Sequence, residues 1–147
     1  MSVRLLRARD IAEFQELAAV FARELAAGDV VALEGGLGSG KTAFVAAAAR
    51  ALGSEAAVTS PTFTFWHRYG GSPALEHIDL YRIEDAGEAT ELGLEEAFSA
   101  DAIVFVEWPG RLPGFVPPGA IRIRITGSGT EPREISIEPG TDRAGSR

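Results

Sequence analysis

The stretch with the clearest chemical meaning is residues 35–42, Gly-Gly-Leu-Gly-Ser-Gly-Lys-Thr, which contains Lys41, the only lysine among the 14 Lys+Arg side chains. It matches the phosphate-binding pattern GxxxxGK[ST] at every fixed position. Glycines let successive backbone N–H groups point at phosphate oxygens, and a following helix adds its positive N-terminal end. A lysine ammonium is a compact charge that can reach the β- and γ-phosphates of a nucleotide. The pattern therefore predicts a nucleotide-phosphate site formed by Gly35, Gly36, Gly38, Ser39, Gly40, Lys41, Thr42 and Ala43.

Two acidic residues at the ends of apolar stretches could complete such a site. Glu107 follows the apolar run 102–106, and Asp79 lies near the end of the run 75–80. Ligands of open α/β sheets bind at the carboxyl ends of the strands. We therefore predict that the Thr42 hydroxyl is a Mg²⁺ ligand and that the Glu107 carboxylate binds Mg²⁺ directly or through a water of its shell. Asp79 would orient the attacking water or hold a Mg²⁺-bound water. The simpler alternative is that both acids are solvated residues at a strand end or a turn.

The segment Ser60-Pro61-Thr62 carries two hydroxyls close to these acids in the predicted order of elements. A hydroxyl on a mobile segment can respond to the γ-phosphate, as switch loops do. A turn that caps a strand explains the same residues equally well. His77 and Arg82 flank Asp79, and for both a core or surface role is as good an interpretation as catalysis.

Hydrophobic periodicity predicts the elements that would position the glycine-rich loop. Residues 10–27 have the spacing of an amphipathic helix, opened by a capping box of Asp10 and Glu13. The segment 29–34, which carries the apolar run 30–33, predicts a buried parallel strand that leads into the loop, and residues 41–52 predict the helix that follows. This order of strand, glycine-rich loop and helix is the context that the phosphate-binding pattern requires.

The rest of the chain predicts a sheet around this unit. The predicted elements are a short strand at 3–6, a hairpin of strands 58–69 and 75–80 with Pro61 interrupting the first, a helical segment at 84–99 broken by Gly93, a central strand at 102–106, and closing edge strands at 121–125 and 133–138. The expected fold class is a single-domain α/β protein of the P-loop NTPase type, with a mostly parallel central sheet, flanking helices and antiparallel edge strands.

Composition narrows the function further. The 147 residues fit one domain, expected at 1–138, followed by a polar, disordered tail at 139–147. The net charge of −7 argues against a chain that grips RNA or DNA alone, since phosphate neutralisation needs a basic face. The absence of cysteine excludes disulfides and thiolate zinc sites. No secretory pattern or long apolar run is present, so we expect a cytoplasmic protein.

Four motifs together resemble the TsaE (YjeE) family, over about residues 8–138. They are the loop at 35–42, Ser60-Pro61-Thr62-Phe63, His77-Ile78-Asp79-Leu80-Tyr81-Arg82 and Val106-Glu107-Trp108-Pro109. Many families share the first motif, and the other three discriminate. The resemblance implies the ATPase component of bacterial tRNA threonylcarbamoyladenosine synthesis, which modifies adenosine 37. It further implies weak ATPase activity alone and work in complex with TsaD and TsaB, with tRNA reached through the complex, and neither membrane nor DNA as a partner.

The resemblance also implies roles for single residues. Lys41 and the loop amides would hold the phosphates of ATP, while Thr42 and Glu107 would bind Mg²⁺. Lys41, Thr62 and Asp79 would be the catalytic residues, the last two on the γ-phosphate side. Trp108 would belong to the nucleotide-binding surface, and Arg133 matches a basic residue that could reach the nucleotide. One position departs from the family, because Gly36 stands where aspartate is usual.

Two other functions remain open on the same residues. A small-molecule kinase would need an acceptor pocket and a lid with phosphate-clamping arginines, and the loop 109–119 carries Arg111 alone. A nucleotide-gated interaction module would need ATP occupancy without turnover. A GTPase is disfavoured, because the guanine-reading motif [NT]KxD needs a second lysine.

Overall fold

A seven-stranded mixed sheet organises the chain in a computed structural model, which describes residues 3–61 and 64–140. The sheet order is β1-β7-β6-β2-β5-β4-β3. The elements are β1 (Arg4–Ala8), α1 (Ile11–Arg23), β2 (Val30–Gly35), α2 (Lys41–Ala51), β3 (Trp66–Tyr69), β4 (Ala74–Asp79), α3 (Ala86–Glu91), β5 (Ala102–Glu107), β6 (Ile121–Thr126) and β7 (Arg133–Glu138), with short 3-10 helices at Leu94–Ala97 and Pro109–Arg111.

The four central strands β6, β2, β5 and β4 are parallel to one another, and β1, β7 and β3 pair antiparallel with their neighbours. The expected α/β class with a parallel centre and antiparallel outer strands is confirmed. The prediction that both C-terminal strands are edge strands is wrong, because β6 lies between β2 and β7 and β1 covers β7. The alternating pattern of β6 has another cause: one sheet face is solvated there, and Arg122 and Arg124 of that face form ion pairs with Glu34 of β2.

The helices α1 and α2 cover one face of the sheet. Their core contains a cluster of aromatic rings in which Phe44 packs against Phe14, Phe21 and Phe105, at centroid distances of 5.8, 5.9 and 6.5 Å. The opposite face packs against α3, the first 3-10 helix and residues of the loop 109–119. Because Phe44 lies in the first turn of α2, the aromatic cluster fixes the start of that helix directly beneath the glycine-rich loop.

Helix α1 begins as predicted but ends four residues early. The Asp10 side chain accepts a hydrogen bond from Glu13 N at 2.9 Å, while the Glu13 carboxylate accepts from Arg9 N, one residue before the cap. The Arg9 guanidinium also donates to this carboxylate, and its hydrogen bonds, followed by that from Arg9 N, lower the pKa of Glu13 to about 2. The helix ends at Arg23 rather than at residue 27, because Ala26 N donates its hydrogen bond to the Asp29 carboxylate in the turn that leads to β2.

The predicted strand at 58–69 is wrong over most of its length. Of the residues in this segment that the structure describes, only Trp66–Tyr69 form a strand, and it makes the expected hairpin with β4. Phe65 has φ 69°, a left-handed conformation that interrupts extended backbone just before the strand. Residues 62–63 and 141–147 lie outside the described residues, so Thr62 and nearly all of the predicted tail do too. In the described part of the chain, no helix is long and apolar enough to cross a membrane.

Candidate functional site

The glycine-rich loop connects the end of β2 at Gly35 to the start of α2 at Lys41. Two of its glycines are required by close approach. A Cβ at Gly35 would lie 2.7 Å from the carbonyl oxygen of Ile125, and one at Gly40 would lie 3.1 Å from the ring of Phe14. Gly40 also has φ 107°, which side chains rarely adopt. The loop is therefore wedged between β6 and α1, and its shape is fixed by neighbours on both sides.

Lys41 lies across the mouth of this loop. Its Nζ donates to the carbonyl oxygens of Gly35 and Gly36, both at 2.8 Å, and the residue is 5% exposed. The ring centroid of Trp108 lies 4.3 Å from Nζ, within reach of a cation–π contact. Burial lowers the pKa of Lys41, and the carboxylates of Glu107 and Asp79 partly oppose that shift. A partly desolvated ammonium facing open space is an attractive position for an anion.

Glu107 ends β5 and is connected to both the loop and the sheet. Its Oε2 accepts from the Thr42 hydroxyl at 3.0 Å and contacts His77 Nε2 at 2.6 Å. Glu107 is 3% exposed and His77 is fully buried. The sequence prediction that Thr42 and Glu107 lie together is thus matched by their geometry, across 65 residues of chain.

The donor set of Thr42 and Glu107 is chemically suited to Mg²⁺. A hydroxyl and a carboxylate are hard oxygen donors, and Mg²⁺ usually takes one or two protein ligands and completes its shell with water and phosphate oxygens. Among residues 3–61 and 64–140, no group of three or more His, Asp or Glu side chains could enclose a metal ion. The protein therefore offers a partial shell, which fits a cation that arrives with a phosphate ligand.

Asp79 ends β4 beside Glu107, its register partner on β5. Its Oδ1 accepts from Tyr81 N at 2.8 Å, and its Oδ2 accepts from the Ser60 hydroxyl at 3.3 Å. Asp79 is 2% exposed. Ser60 is thus hydrogen-bonded to the site through Asp79, whereas Thr62, predicted to act at the γ-phosphate, lies outside the described residues.

These residues line one cleft of about 390 Å³. The predicted residues that the structure brings together there are Gly38, Gly40, Lys41, Thr42, Ala43, Asp79, Glu107 and Trp108. Gly35 and Gly36 border the site through their carbonyl contacts with Lys41. Ser39 is 1% exposed and does not line this cleft; it borders a second cavity beside the loop.

Sequence reasoning missed three contributors to the cleft and its border. Tyr81 packs against Trp108 with ring centroids 4.9 Å apart, and the Arg111 guanidinium lies 5.1 Å from the centre of the Tyr81 ring. Leu37, 69% exposed, lines the cleft from the loop. Trp108 holds its place with a left-handed backbone, φ 58°. The sequence did offer a signal for Tyr81. It follows Asp79 by two residues, at a turn of the chain, so its side chain could be expected near the same site.

Arg133 lies behind the loop rather than in the cleft. Its Nε donates to Ser39 O at 2.8 Å, and its Nη2 reaches Gly38 O at 3.3 Å and Gly129 O at 3.1 Å. The side chain thus holds loop carbonyls away from the cleft. It also borders a second cavity of about 400 Å³, which adjoins the loop at Gly40. Contact with a nucleotide through that cavity stays a prediction.

Comparison with known proteins gives a consistent result. The family model described as "Threonylcarbamoyl adenosine biosynthesis protein TsaE" matches residues 8–135. The chain is 41% identical over 123 residues to the tRNA threonylcarbamoyladenosine biosynthesis protein TsaE of Bacillus subtilis, covering 83% of this chain and 75% of that protein. It is 34% identical over 118 residues to the protein of the same name from Treponema pallidum, covering 80% and 87%. The crystal structure of Bacillus subtilis YdiB superposes with a TM-score of 0.79 at 31% identity, covering 99% of this chain and 90% of that one.

Proposed function

Because the chain belongs to the TsaE family of threonylcarbamoyl adenosine biosynthesis proteins, we propose that it is the ATP-binding and ATP-hydrolysing component of the machinery that builds threonylcarbamoyladenosine at adenosine 37 of tRNA. We assign its loop and parallel strands to the P-loop NTPase class, as the sequence predicts. The observation that carries the proposal is the convergence of Lys41, Glu107 and Asp79 on one cleft at the ends of β2, β5 and β4.

The ammonium of Lys41 would receive the nucleotide phosphates. In the structure it is held by two loop carbonyls at 2.8 Å, so it is already oriented at the mouth of the loop. The backbone N–H groups that begin α2 add the positive end of that helix. Mg²⁺, when bound with the nucleotide by Thr42 and Glu107, would neutralise charge on the β- and γ-phosphates.

Asp79 would act on the attacking water. Its carboxylate accepts hydrogen bonds from Tyr81 N and from the Ser60 hydroxyl, and these two contacts fix the side chain at the end of β4. A fixed carboxylate can accept a hydrogen bond from a water and align it with the γ-phosphate. Thr62, two residues after Ser60, is assigned to the same side by sequence.

The second cavity would take the nucleoside. It lies on the far side of Gly40 and Ala43 from Asp79 and is walled by Ile11 and Phe14. Nucleotide sites usually combine a polar phosphate end with an apolar wall for the base. A nucleotide that entered both cavities would pass over Gly40, the residue at the start of α2.

The partners proposed are the TsaD and TsaB proteins, with tRNA reached through them. The charge distribution agrees with indirect contact. Residues 83–101 contain seven Asp and Glu and no Lys or Arg, which equals the whole net charge of −7. Such a surface repels the phosphate backbone of tRNA, so another subunit would have to supply most of the basic contacts.

The proposal is tested by measuring phosphate release from ATP and Mg²⁺, with no other phosphate acceptor added. We expect slow release by the chain alone and faster release when TsaD and TsaB are supplied. Lys41→Ala should abolish both rates. Arg50→Ala removes an exposed cation from the last turn of the same helix and should leave both unchanged.

Two results would redirect the proposal to its alternatives. Phosphate transfer to a small molecule, with little release to water, would indicate a kinase. Full support of repeated tRNA modification by a non-hydrolysable ATP analogue would indicate a nucleotide-gated module without essential turnover.

A further inference from the structure

His77 is a fully buried imidazole in the middle of β4. It shares its sheet face with Leu75 below and Asp79 above, and its register partner on β5 is Phe105. An apolar side chain would suit this environment, because burial of a polar group is unfavourable unless its hydrogen bonds are satisfied. The imidazole satisfies only one of its two nitrogens: Nε2 contacts Glu107 Oε2 at 2.6 Å, while no described residue pairs with Nδ1.

This pattern assigns the tautomer of His77. An ionised carboxylate only accepts hydrogen bonds, so the proton shared with Glu107 Oε2 belongs to Nε2. The ring therefore donates one hydrogen bond, from Nε2 to Glu107. Among the described residues, the polar contact of the His77 side chain is therefore with the candidate metal ligand alone.

Glu107 needs such a contact more than an aspartate would. Its longer side chain has an additional rotatable bond, so holding it in one rotamer costs more conformational entropy. Thr42 also donates to Oε2, but that hydroxyl is itself a candidate metal ligand on α2. His77 is the donor that comes from the sheet and is independent of the loop.

We propose that His77 is a positioning residue: it holds Glu107 Oε2 so that the carboxylate and the Thr42 hydroxyl face the cleft as a preformed pair of Mg²⁺ ligands. This inference rests on the proposed function, because it concerns the metal that accompanies the nucleotide. Residues that hydrogen-bond to metal ligands typically change metal affinity 10–100-fold when replaced.

A matched pair of variants isolates the hydrogen bond. In His77→Gln the side-chain amide can place an N–H donor near the original Nε2 position. In His77→Asn the same amide is one methylene shorter and falls short of Glu107. Both remain polar and neutral, so they differ chiefly in reach. His77→Leu removes the donor altogether, and His67→Gln replaces the other histidine, on β3, as a control.

The readouts are Mn²⁺ binding to the protein–ADP complex, followed by the spectroscopic signal of free Mn²⁺, and ADP affinity in EDTA. We expect His77→Asn and His77→Leu to weaken Mn²⁺ binding about 10–100-fold, with metal-free ADP affinity within about twofold of wild type. His77→Gln should recover most of the loss, and His67→Gln should match wild type.

Equal Mn²⁺ affinity in the Gln and Asn variants would overturn the inference, even if His77→Leu proved too unstable to purify. Failure of the proposed function gives a different result, since the wild-type protein itself would then bind neither ADP nor Mn²⁺–ADP.

Discussion

The substitution Gly40→Ala measures how strongly the fold constrains the glycine-rich loop. Gly40 has φ 107°, and its new Cβ would meet the Phe14 ring at 3.1 Å. A left-handed backbone costs a non-glycine residue about 1–2 kcal/mol. Phe14 is itself 2% exposed and packs against Phe44 at 5.8 Å, so it cannot move away freely, and overpacking of this kind costs about 1–3 kcal/mol.

The net destabilisation should be about 2–4 kcal/mol, after the ~0.4–1 kcal/mol that alanine gains by restricting the unfolded chain. Gly36→Ala is the matched control, because its backbone is not left-handed and nothing lies within 4 Å of the added Cβ. It should be neutral or stabilising by up to ~1 kcal/mol. Thermal unfolding followed by circular dichroism should show Gly40→Ala melting about 8–15 °C below wild type, since ~1 kcal/mol shifts Tm by roughly 4 °C at this size.

Nucleotide affinity supplies a second reading of the same pair. Gly40→Ala should also lose ADP binding, because α2 could no longer start in the conformation that faces the cleft. Gly36→Ala should bind as wild type does. A Gly40→Ala protein as stable as wild type, or a Gly36→Ala protein as unstable as Gly40→Ala, would refute the view that Phe14 and the backbone conformation fix the loop.

Three further predictions concern the charged groups of the cleft. Lys41 and the N-terminus are the only primary amines. Acetylation of Lys41, measured by peptide mass spectrometry relative to the N-terminal amine, should slow about 100-fold with Mg–ATP at 100 times its Kd. Equal rates with and without Mg–ATP would show that Lys41 does not contact the phosphates. Asp79→Asn should bind ATP with near wild-type affinity but release phosphate about 100-fold more slowly in a single-turnover assay, and unchanged turnover would end the assignment of the water to Asp79. Burial lowers the pKa of Lys41 from 10.5, so the unfolded state binds more protons as pH rises from that lowered value toward 10.5, and stability should rise with pH in this window. Lys41→Met should lose this rise, which urea unfolding at pH 8 and pH 10 would measure; identical pH slopes would contradict the burial of the ammonium.

The sequence predicted the centre of the site well because its signals are local. The loop lies between a continuous apolar strand and a helix, so residues 29–52 allow one arrangement, and Lys41 follows from it. Glu107 and Asp79 were predicted because both end apolar strands, and parallel strands present their carboxyl ends on one edge. The order of the strands within the sheet was harder to predict. Alternation in β6 reports one solvated face, and that pattern does not distinguish an edge strand from an interior strand.

Contacts made by single side chains across the fold could not be predicted. The hydrogen bonds of the Arg133 guanidinium to the carbonyl oxygens of Ser39 and Gly38 depend on how β7 passes the loop, and contact of Arg133 with a nucleotide stays a prediction. No specific role was predicted for His77, because the role inferred from the structure depends on its hydrogen bond to a carboxylate 30 residues away. The irregular backbone at Phe65 is likewise invisible in a segment rich in strand-forming residues.

The pairing of β1 with β7 has a consequence for how the site is assembled in time. Within the described residues, β1 pairs in the sheet with β7 alone, and β7 connects it through β6 to the parallel centre. During synthesis the glycine-rich loop emerges long before the strands that bear on it, the β6 carbonyl beside Gly35 and the Arg133 side chain behind Ser39. Contacts so distant in sequence form late and slowly. We therefore expect the loop to gain its rigid shape late in folding, and a chain that lacks β6 and β7 to bind nucleotide poorly although it carries the phosphate motif.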